Sequence, residues 1–120
     1  MNTALETESR LFRLREKMAA AECPVFFSLD AAANHYLTGF QGSTSAVLVY
    51  RDNARFLCDF RYTEQAKHQV RGCAVEQVSG TLEQNVGRIL DEENVTTAGF
   101  EPERLSYAQW QTIQGIYSGG

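Results

Sequence analysis

The chain has 120 residues, of which 43% are hydrophobic and 22% are charged, a balance that is ordinary for a single globular domain. Its formal net charge of −4, from 11 basic and 15 acidic residues, argues against a nucleic-acid-binding module, because contacts with phosphates need a basic surface. No apolar run approaches the roughly 20 residues of a membrane span, and charges begin at Glu6, which is unlike a secretory signal. We therefore expect neither a nucleic acid nor a membrane as a partner.

The basic residues that come closest to forming a patch lie near the amino terminus. Four basic residues are interleaved there with three acidic ones: Arg10, Arg13, Arg15 and Lys17 with Glu6, Glu8 and Glu16. Because opposite charges three or four residues apart pair on a helix, the pattern predicts a solvated face with local ion pairs rather than a binding stripe.

The three cysteines, Cys23, Cys58 and Cys73, are odd in number and widely spaced. They form no CxxC pair and no cluster with the histidines, so neither a disulfide framework nor a zinc site is indicated. Reduced thiols in a cytoplasmic protein are the simplest interpretation.

The first third of the chain alternates between helix and strand. Apolar residues recur at helical spacing at Leu11, Leu14, Met18 and Ala21, and Pro24 is expected to end that helix. Residues 25–29 then form a short apolar run typical of a strand that is buried on both faces. Residues 30–37 are rich in alanine and predict one or two helical turns, closed by Thr38 and Gly39.

A hairpin is predicted in the middle of the chain. Residues 45–50 and 54–60 read as two strands, and only residues 51–53 separate them, which is hairpin spacing. Tyr62, Ala66 and Val70 then lie four apart on one face of a helix. A strand is expected at residues 74–78.

Capping patterns mark the last two helices. Thr81 and Gln84 form a capping box that opens a helix with apolar residues facing inward, namely Leu82, Val86, Ile89 and Leu90. A brief strand at residues 98–100 precedes a second capping box at Ser106, whose helix turns Trp110, Ile113 and Tyr117 inward. Residues 118–120 read as a helix stop or the start of a linker.

The resulting order is α-β-α-β-β-α-β-α-β-α, in one domain that covers residues 1–120. Strands that alternate with helices predict a mostly parallel sheet covered on both faces. The fold class is therefore a three-layer α/β/α arrangement, with a mixed five-stranded sheet that contains one antiparallel hairpin.

No complete catalytic constellation emerges from the residues. His35 and His68 lie on different predicted elements, and no HxxxH, HxH or paired-carboxylate spacing indicates a metal site. Pairs of Cys58 with His68, or Ser43 with His35, are conceivable nucleophile pairs, but neither lies in a nucleophile elbow. The glycine-bearing segment 39–43 lacks the Lys-Ser/Thr of a P-loop and precedes a strand, so a tight turn is expected there.

Two segments resemble a known family. Residues 34–40 read N-H-Y-L-T-G-F and, with Gly42 and Ser43, are similar to the N-x-x-Y-L-T/S-G-F…G-S signature of the creatinase/prolidase amino-terminal domain. Residues 57–62, L-C-D-F-R-Y, running into E-Q-A at 64–66, resemble that family's D-S-R-Y-x-x-Q-A segment, with Phe60 where a small polar residue is common. Weaker matches lie in the first helix, at residues 25–27, and at residues 98–101 and 105–107, so the likeness covers nearly the whole chain in order.

The resemblance implies a ribonuclease-H-like amino-terminal domain of a proline-specific metallopeptidase, an Xaa-Pro dipeptidase or aminopeptidase. It implies that catalysis belongs to a downstream pita-bread domain with a dinuclear Mn, Co or Zn site, that no catalytic or metal-binding residue lies in this chain, and that the full-length protein is a homodimer acting on peptides. The alternative is a stand-alone, peptidase-like binding module for a protein or peptide. Continuation of the reading frame past Gly120 would distinguish the two.

In that family the domain mediates subunit contacts and walls the active-site cleft. We expect Phe40 and Gln41 to project from the tip of their loop, and Phe40, Gln41 and Ser43 to lie near the cleft. The other motif residues are expected to be structural: Asn34, Tyr36, Gly39, Asp59, Arg61 and Tyr62. Asp59 and Arg61 are suited to a charge-assisted bond that pins the strand–helix junction.

Overall fold

The computed structural model describes residues 4–117, so the predicted helix stop or linker at residues 118–120 lies outside the described part. Within residues 4–117 there are five α-helices and one short 3₁₀-helix: α1 (Ala4–Ala20), α2 (Ala31–Thr38), α3 (Thr63–Gln69), α4 (Leu82–Glu92) and α5 (Tyr107–Ile116), with the 3₁₀-helix at Pro102–Arg104. They flank five strands: β1 (Val25–Ser28), β2 (Ala46–Tyr50), β3 (Ala54–Cys58), β4 (Ala74–Gln77) and β5 (Ala98–Gly99).

The sheet has the order β4-β3-β2-β1-β5. The central strand β2 is antiparallel to both neighbours, whereas β4 is parallel to β3 and β5 is parallel to β1. Four strands therefore run in one direction and β2 alone runs against them. This arrangement confirms the predicted mixed sheet and its hairpin, in which Val49 pairs with Ala54.

One face of the sheet is covered by α4 and α5. The predicted inward residues of α4 are all buried against β1, β2 and β3: Leu82, Val86, Ile89 and Leu90. Both predicted capping boxes are present, at Thr81 and Ser106. A Cβ added at Gly87 would lie 3.0 Å from Cβ of Ile116, so the glycine lets α5 approach α4 closely.

The opposite face is covered by α1, α2 and α3. Leu11 and Met18 of α1, Leu37 of α2, and Ala66 and Val70 at α3 are buried there against β2 and β3. Both faces of the sheet are thus covered, as the three-layer prediction requires. Within residues 4–117, no helix combines the length and the apolar character needed to cross a bilayer.

Two predicted element ends need correction. The first helix ends at Ala20 and does not run to Pro24, because the chain turns at Glu22, whose φ of 54° is left-handed. Ala21 is consequently outside the helix and exposed, rather than buried. The strand predicted to reach residue 60 ends at Cys58, because residues 60–62 form a turn.

A polar network ties the sheet to α4. Arg55 on β3 donates from Nε and Nη2 to the two carboxylate oxygens of Glu76 on β4, both at 2.7 Å. Its Nη1 donates to Glu93 at 3.1 Å, and the Tyr50 hydroxyl donates to the other oxygen of Glu93 at 2.5 Å. Burial, and next the bond to Glu93, raise the pKa of Tyr50, so this hydroxyl keeps its proton as the donor.

We expect this network to make the fold sensitive to acid. The hydrogen bond from Arg55 holds the pKa of the Glu76 carboxyl below its usual value. Folded protein therefore binds fewer protons there than unfolded chain, so the stabilisation is complete above the unfolded pKa of about 4.3 and is lost as pH falls through the folded pKa. Since Glu76 is about one-third exposed, screening limits the contribution to about 1 kcal/mol.

Urea unfolding of wild type and Glu76→Gln at pH 7 and pH 3 measures this contribution. At pH 7 the free energy of unfolding should be larger for the wild type than for Glu76→Gln, and this difference between the two proteins should be smaller at pH 3. An equal difference at both pH values would contradict the assignment to the Glu76 carboxylate.

Candidate functional site

The family-like residues converge at one edge of the sheet. β1 and β3 end at this edge and β2 begins there, because β2 runs against its two neighbours. Residues 39–45, here called the motif loop, lead into β2. Residues 59–62, here called the β3–α3 turn, follow β3. The sequence-predicted site residues lie in these two segments and in α2.

Helix α2 fixes the start of the motif loop through buried polar groups. Asp30 caps the helix by accepting a hydrogen bond from the Ala33 amide at 2.9 Å. The Asn34 side-chain amide is fully buried and donates to the Ser45 carbonyl at 3.1 Å and to the Ser45 hydroxyl at 2.9 Å. Gly39 ends the helix with a φ of 90°, a conformation that glycine adopts without strain. Asn34 thereby joins the two ends of the loop.

Phe40 does not project from the loop, and that expectation is wrong. Its side chain is 0% exposed. The ring packs edge-on against Phe56 of β3 at 4.9 Å between centroids, and against Tyr62 at 6.0 Å. The phenyl group gains more from burial among aromatic side chains than from contact with water, and edge-to-face pairing adds to that gain. Its proximity to a cleft stays a prediction.

The Phe40 ring explains why a glycine occupies position 42. A Cβ added at Gly42 would lie 2.3 Å from Cε2 and 2.4 Å from Cζ of Phe40. Such distances are far inside van der Waals contact, and the ring is enclosed on its other sides. The spacing F-x-G in the motif is therefore a packing requirement of the loop.

Gln41 and Ser43 are the exposed side chains of the motif loop. The backbone amide of Gln41 donates to the Gln69 side chain on α3 at 2.9 Å, and Gln65 donates to the same oxygen at 3.1 Å. The backbone of the loop is thus tied to α3 while the two polar side chains face outward. This is the arrangement expected of residues that meet a ligand or another chain.

Asp59 and Arg61 form the hydrogen-bonded pair that their spacing predicts. The Asp59 carboxylate accepts from the Arg61 backbone amide at 2.9 Å and from Nη2 of its guanidinium at 2.7 Å. The Arg61 side chain holds the pKa of the Asp59 carboxyl below its usual value. Arg61 lies in the turn rather than at the start of α3, which begins at Thr63. Tyr62 precedes that helix and packs against Phe40.

Phe60 is the functional candidate that the sequence analysis missed. Its side chain is 75% exposed, the largest exposure among the large hydrophobic residues of the described chain. It lies in the same turn as the Asp59–Arg61 pair. The available signal was its departure from the small polar residue that is common in the family.

Tyr36 lies apart from the other motif residues. Its side chain is 49% exposed, and the Arg10 guanidinium carbon lies 4.2 Å from its ring centroid. Arg10 also donates from Nη1 to the Tyr36 carbonyl at 3.0 Å. Tyr36 therefore joins α2 to α1 instead of shaping the motif loop.

The structure argues against the nucleophile pair that uses Cys58. Cys58 is fully buried, and burial raises the pKa of its thiol. Burial also raises the pKa of Cys73, to about 12, so neither thiol supplies a thiolate near neutral pH. Among residues 4–117, no three His, Cys, Asp or Glu side chains are grouped in a way that could hold a metal ion.

Comparison with known proteins assigns the family. Residues 10–119 match the sequence profile of the Creatinase/Prolidase N-terminal domain. Because this match spans nearly the whole chain, the chain belongs to the creatinase/prolidase amino-terminal domain family, and its fold and motifs agree with that assignment. The chain is also 35% identical over 83 residues to the uncharacterized peptidase YqhT of Bacillus subtilis, a match covering 69% of this chain and 24% of that protein.

Solved structures of peptidases share the fold. An Xaa-Pro dipeptidase from Bacillus anthracis superimposes with a TM-score of 0.84 at 26% identity, over 98% of this chain and 32% of that one. The N-terminal domain of the cytoplasmic peptidase PepQ from Mycobacterium tuberculosis superimposes with a TM-score of 0.83 at 26% identity, over 92% of this chain and 86% of that one. The chain thus spans about a quarter of YqhT and about a third of the Bacillus anthracis dipeptidase.

Proposed function

We propose that this chain serves as the non-catalytic amino-terminal domain of a proline-specific metallopeptidase, an Xaa-Pro dipeptidase or aminopeptidase. The family assignment supports this role, as does the superposition on the N-terminal domain of PepQ. The single observation that carries it is that the motif residues Asn34, Phe40 and Gly42 hold the loop through hydrogen bonds and packing. The dinuclear Mn, Co or Zn site would belong to the rest of such a protein.

Within that role, the motif loop and the β3–α3 turn form part of the cleft wall and of a homodimer contact. Gln41 and Ser43 support the first assignment, because they are exposed on a backbone that α2 and α3 hold in place. Phe60 supports the second, because exposed aromatic side chains are enriched in protein interfaces. A cytoplasmic location agrees with unpaired cysteines and with the description of PepQ as cytoplasmic.

Steady-state kinetics of the full-length protein test the cleft assignment. The double variant Gln41→Ala, Ser43→Ala should raise KM for an Xaa-Pro peptide about threefold to tenfold with little change in kcat, as for groups that contribute uniform binding. Gln114→Ala, an exposed residue on α5, is the control and should leave KM unchanged. An unchanged KM in the double variant would contradict the cleft assignment.

Sedimentation of the full-length protein tests the contact assigned to Phe60. Phe60→Ser should weaken dimerisation about tenfold, whereas Tyr107→Ser, which removes a similarly exposed ring from α5, should not. Equal dimerisation of wild type and Phe60→Ser would remove Phe60 from the interface.

A further inference from the structure

A second surface lies away from the motif loop, on the face of the sheet that carries α1 and α2. There a groove with a volume of about 760 Å³ runs between these helices and above β1 and β5. None of its lining residues belongs to the motif loop or to the β3–α3 turn.

The groove exists because the helices on this face cover only part of the sheet. α1, α2 and α3 bury side chains of β2 and β3, while Phe26 of β1 stays partly exposed. On the opposite face the same edge is covered, since Phe100 packs between Phe27 and Trp110 at 5.4 and 5.2 Å between ring centroids. The face of β1 and β5 on the side of α1 and α2 is therefore apolar and open to solvent.

The lining combines apolar side chains with a basic rim. Four large apolar residues contribute to it: Leu14, Met18, Phe26 and Leu37. The lining has one acidic side chain, that of Glu101, and four basic ones: Arg10, Arg13, Lys17 and Arg104. Arg104 is ion-paired with Asp30 at 3.0 Å and with Glu101 at 3.4 Å. The positive charge that the groove offers to a carboxylate therefore comes from Arg13 and Lys17.

The basic side chains of α1 that line the groove differ in whether they form an ion pair. Arg10 is held by Tyr36 and by Glu6, whose carboxylate lies 3.6 Å away. Arg13 and Lys17 are exposed, and neither forms an ion pair with another residue between 4 and 117. The predicted local ion pair thus forms at Arg10, whereas Arg13 and Lys17 are solvated, as predicted, but form none of the predicted ion pairs. Being four apart, Arg13 and Lys17 lie on the same side of the helix.

The dimensions of the groove suit a helix. Its wall on α1 extends from Arg10 to Met18, which is about 12 Å at 1.5 Å per residue and equals about two helical turns, and Ala21 prolongs the wall beyond the end of the helix. An amphipathic helix in such a groove places apolar anchors at i, i+3, i+4 and i+7 on the floor. Two carboxylates that are four residues apart, beside the apolar face of this helix, would lie opposite Arg13 and Lys17. We propose that this groove binds an acidic amphipathic helix of a partner protein.

A stapled synthetic helix of about 14 residues tests the proposal. The probe carries leucines at i, i+4, i+7 and i+11 and glutamates beside them, together with a fluorescein label for anisotropy. It should bind this chain saturably, and binding should weaken with salt. A peptide with lysine in place of each glutamate should bind at least about tenfold more weakly, because like charges face each other across an interface.

Two charge-reversal variants locate the binding. Arg13→Glu with Lys17→Glu should weaken the acidic peptide about tenfold or more, since two favourable charge contacts become repulsive. Arg51→Glu with Arg71→Glu changes the net charge equally at exposed positions outside the groove and should shift the affinity less than about twofold.

Three results would overturn the proposal. The first is the absence of saturable binding, and the second is equal weakening by both double variants, which would indicate unspecific charge attraction. The third is a monomer–dimer equilibrium of the chain that Arg13→Glu with Lys17→Glu abolishes, because the occupant would then be a second copy of this chain.

Discussion

Replacing Phe40 by alanine should lower the free energy of unfolding by about 3 to 5 kcal/mol, the range for removing a buried phenyl ring. The ring is completely buried, and it contacts Phe56 and Tyr62 at the point where the motif loop meets β3 and α3. Its removal would leave a cavity that the hydrogen-bonded loop cannot easily fill. Urea unfolding followed by circular dichroism measures the change.

Phe60→Ala is the matched control, because it removes the same ring from an exposed position at the same edge of the sheet. Its effect should stay within about 0.5 kcal/mol. A loss of less than about 1 kcal/mol in Phe40→Ala, or equal losses in the two variants, would contradict the buried packing of Phe40.

Adding one methyl group at Gly42 should destabilise the fold by about 1 to 3 kcal/mol, the usual cost of overpacking a filled core. The new Cβ would collide with the Phe40 ring, whose atoms lie at 2.3 and 2.4 Å. Gly42 has no positive φ, so Gly42→Ala reports the collision and not backbone strain. The same urea titration measures it.

Gly115→Ala provides the control for Gly42→Ala. A Cβ at Gly115 meets nothing within 4 Å, and the residue lies in α5, so alanine should stabilise the helix by about 0.5 to 1 kcal/mol. A double-mutant cycle adds a stricter criterion: Gly42→Ala should cost much less in the Phe40→Ala background, where the ring is gone. An unchanged cost in that background would show that the ring is not the cause.

Much of the fold follows from local patterns in the sequence. The three residues 51–53 between two β-rich runs permit only a tight antiparallel connection, and β2 and β3 pair in that way. Thr81 and Ser106 open α4 and α5, because each side chain caps an amide three residues later. These features depend on residues close together in the chain, so spacing alone predicts them.

The features that the spacing of residues along the chain did not predict depend on contacts between residues that are distant in the sequence. Phe40 lies between two glycines in a loop, a context that suggests exposure, and only the arrival of Phe56 and Tyr62 buries it. The groove depends on how far α1 and α2 extend over the sheet, and it leaves Phe26 of β1 partly exposed. Neither the burial nor the opening could be derived from periodicity.

The residues of the motif loop and its neighbours are of two kinds, those that hold the loop and those that face outward. Asn34 holds the loop through the hydrogen bonds of its side-chain NH₂ group, and Phe40 and Gly42 hold it through packing. Gln41, Ser43 and Phe60 remain at the surface beside them. At this edge of the sheet, exposed side chains therefore lie on a loop that buried side chains hold in place.

The central claim is that peptide-bond hydrolysis does not reside in these 120 residues. Its most direct test is the release of free amino acid from Xaa-Pro dipeptides and longer Xaa-Pro peptides by the purified chain, with added Mn²⁺ or Co²⁺. The rate should equal that of the metal ion alone, while circular dichroism shows that the chain is folded. Turnover that increases in proportion to the chain and is lost on chelation would contradict the claim.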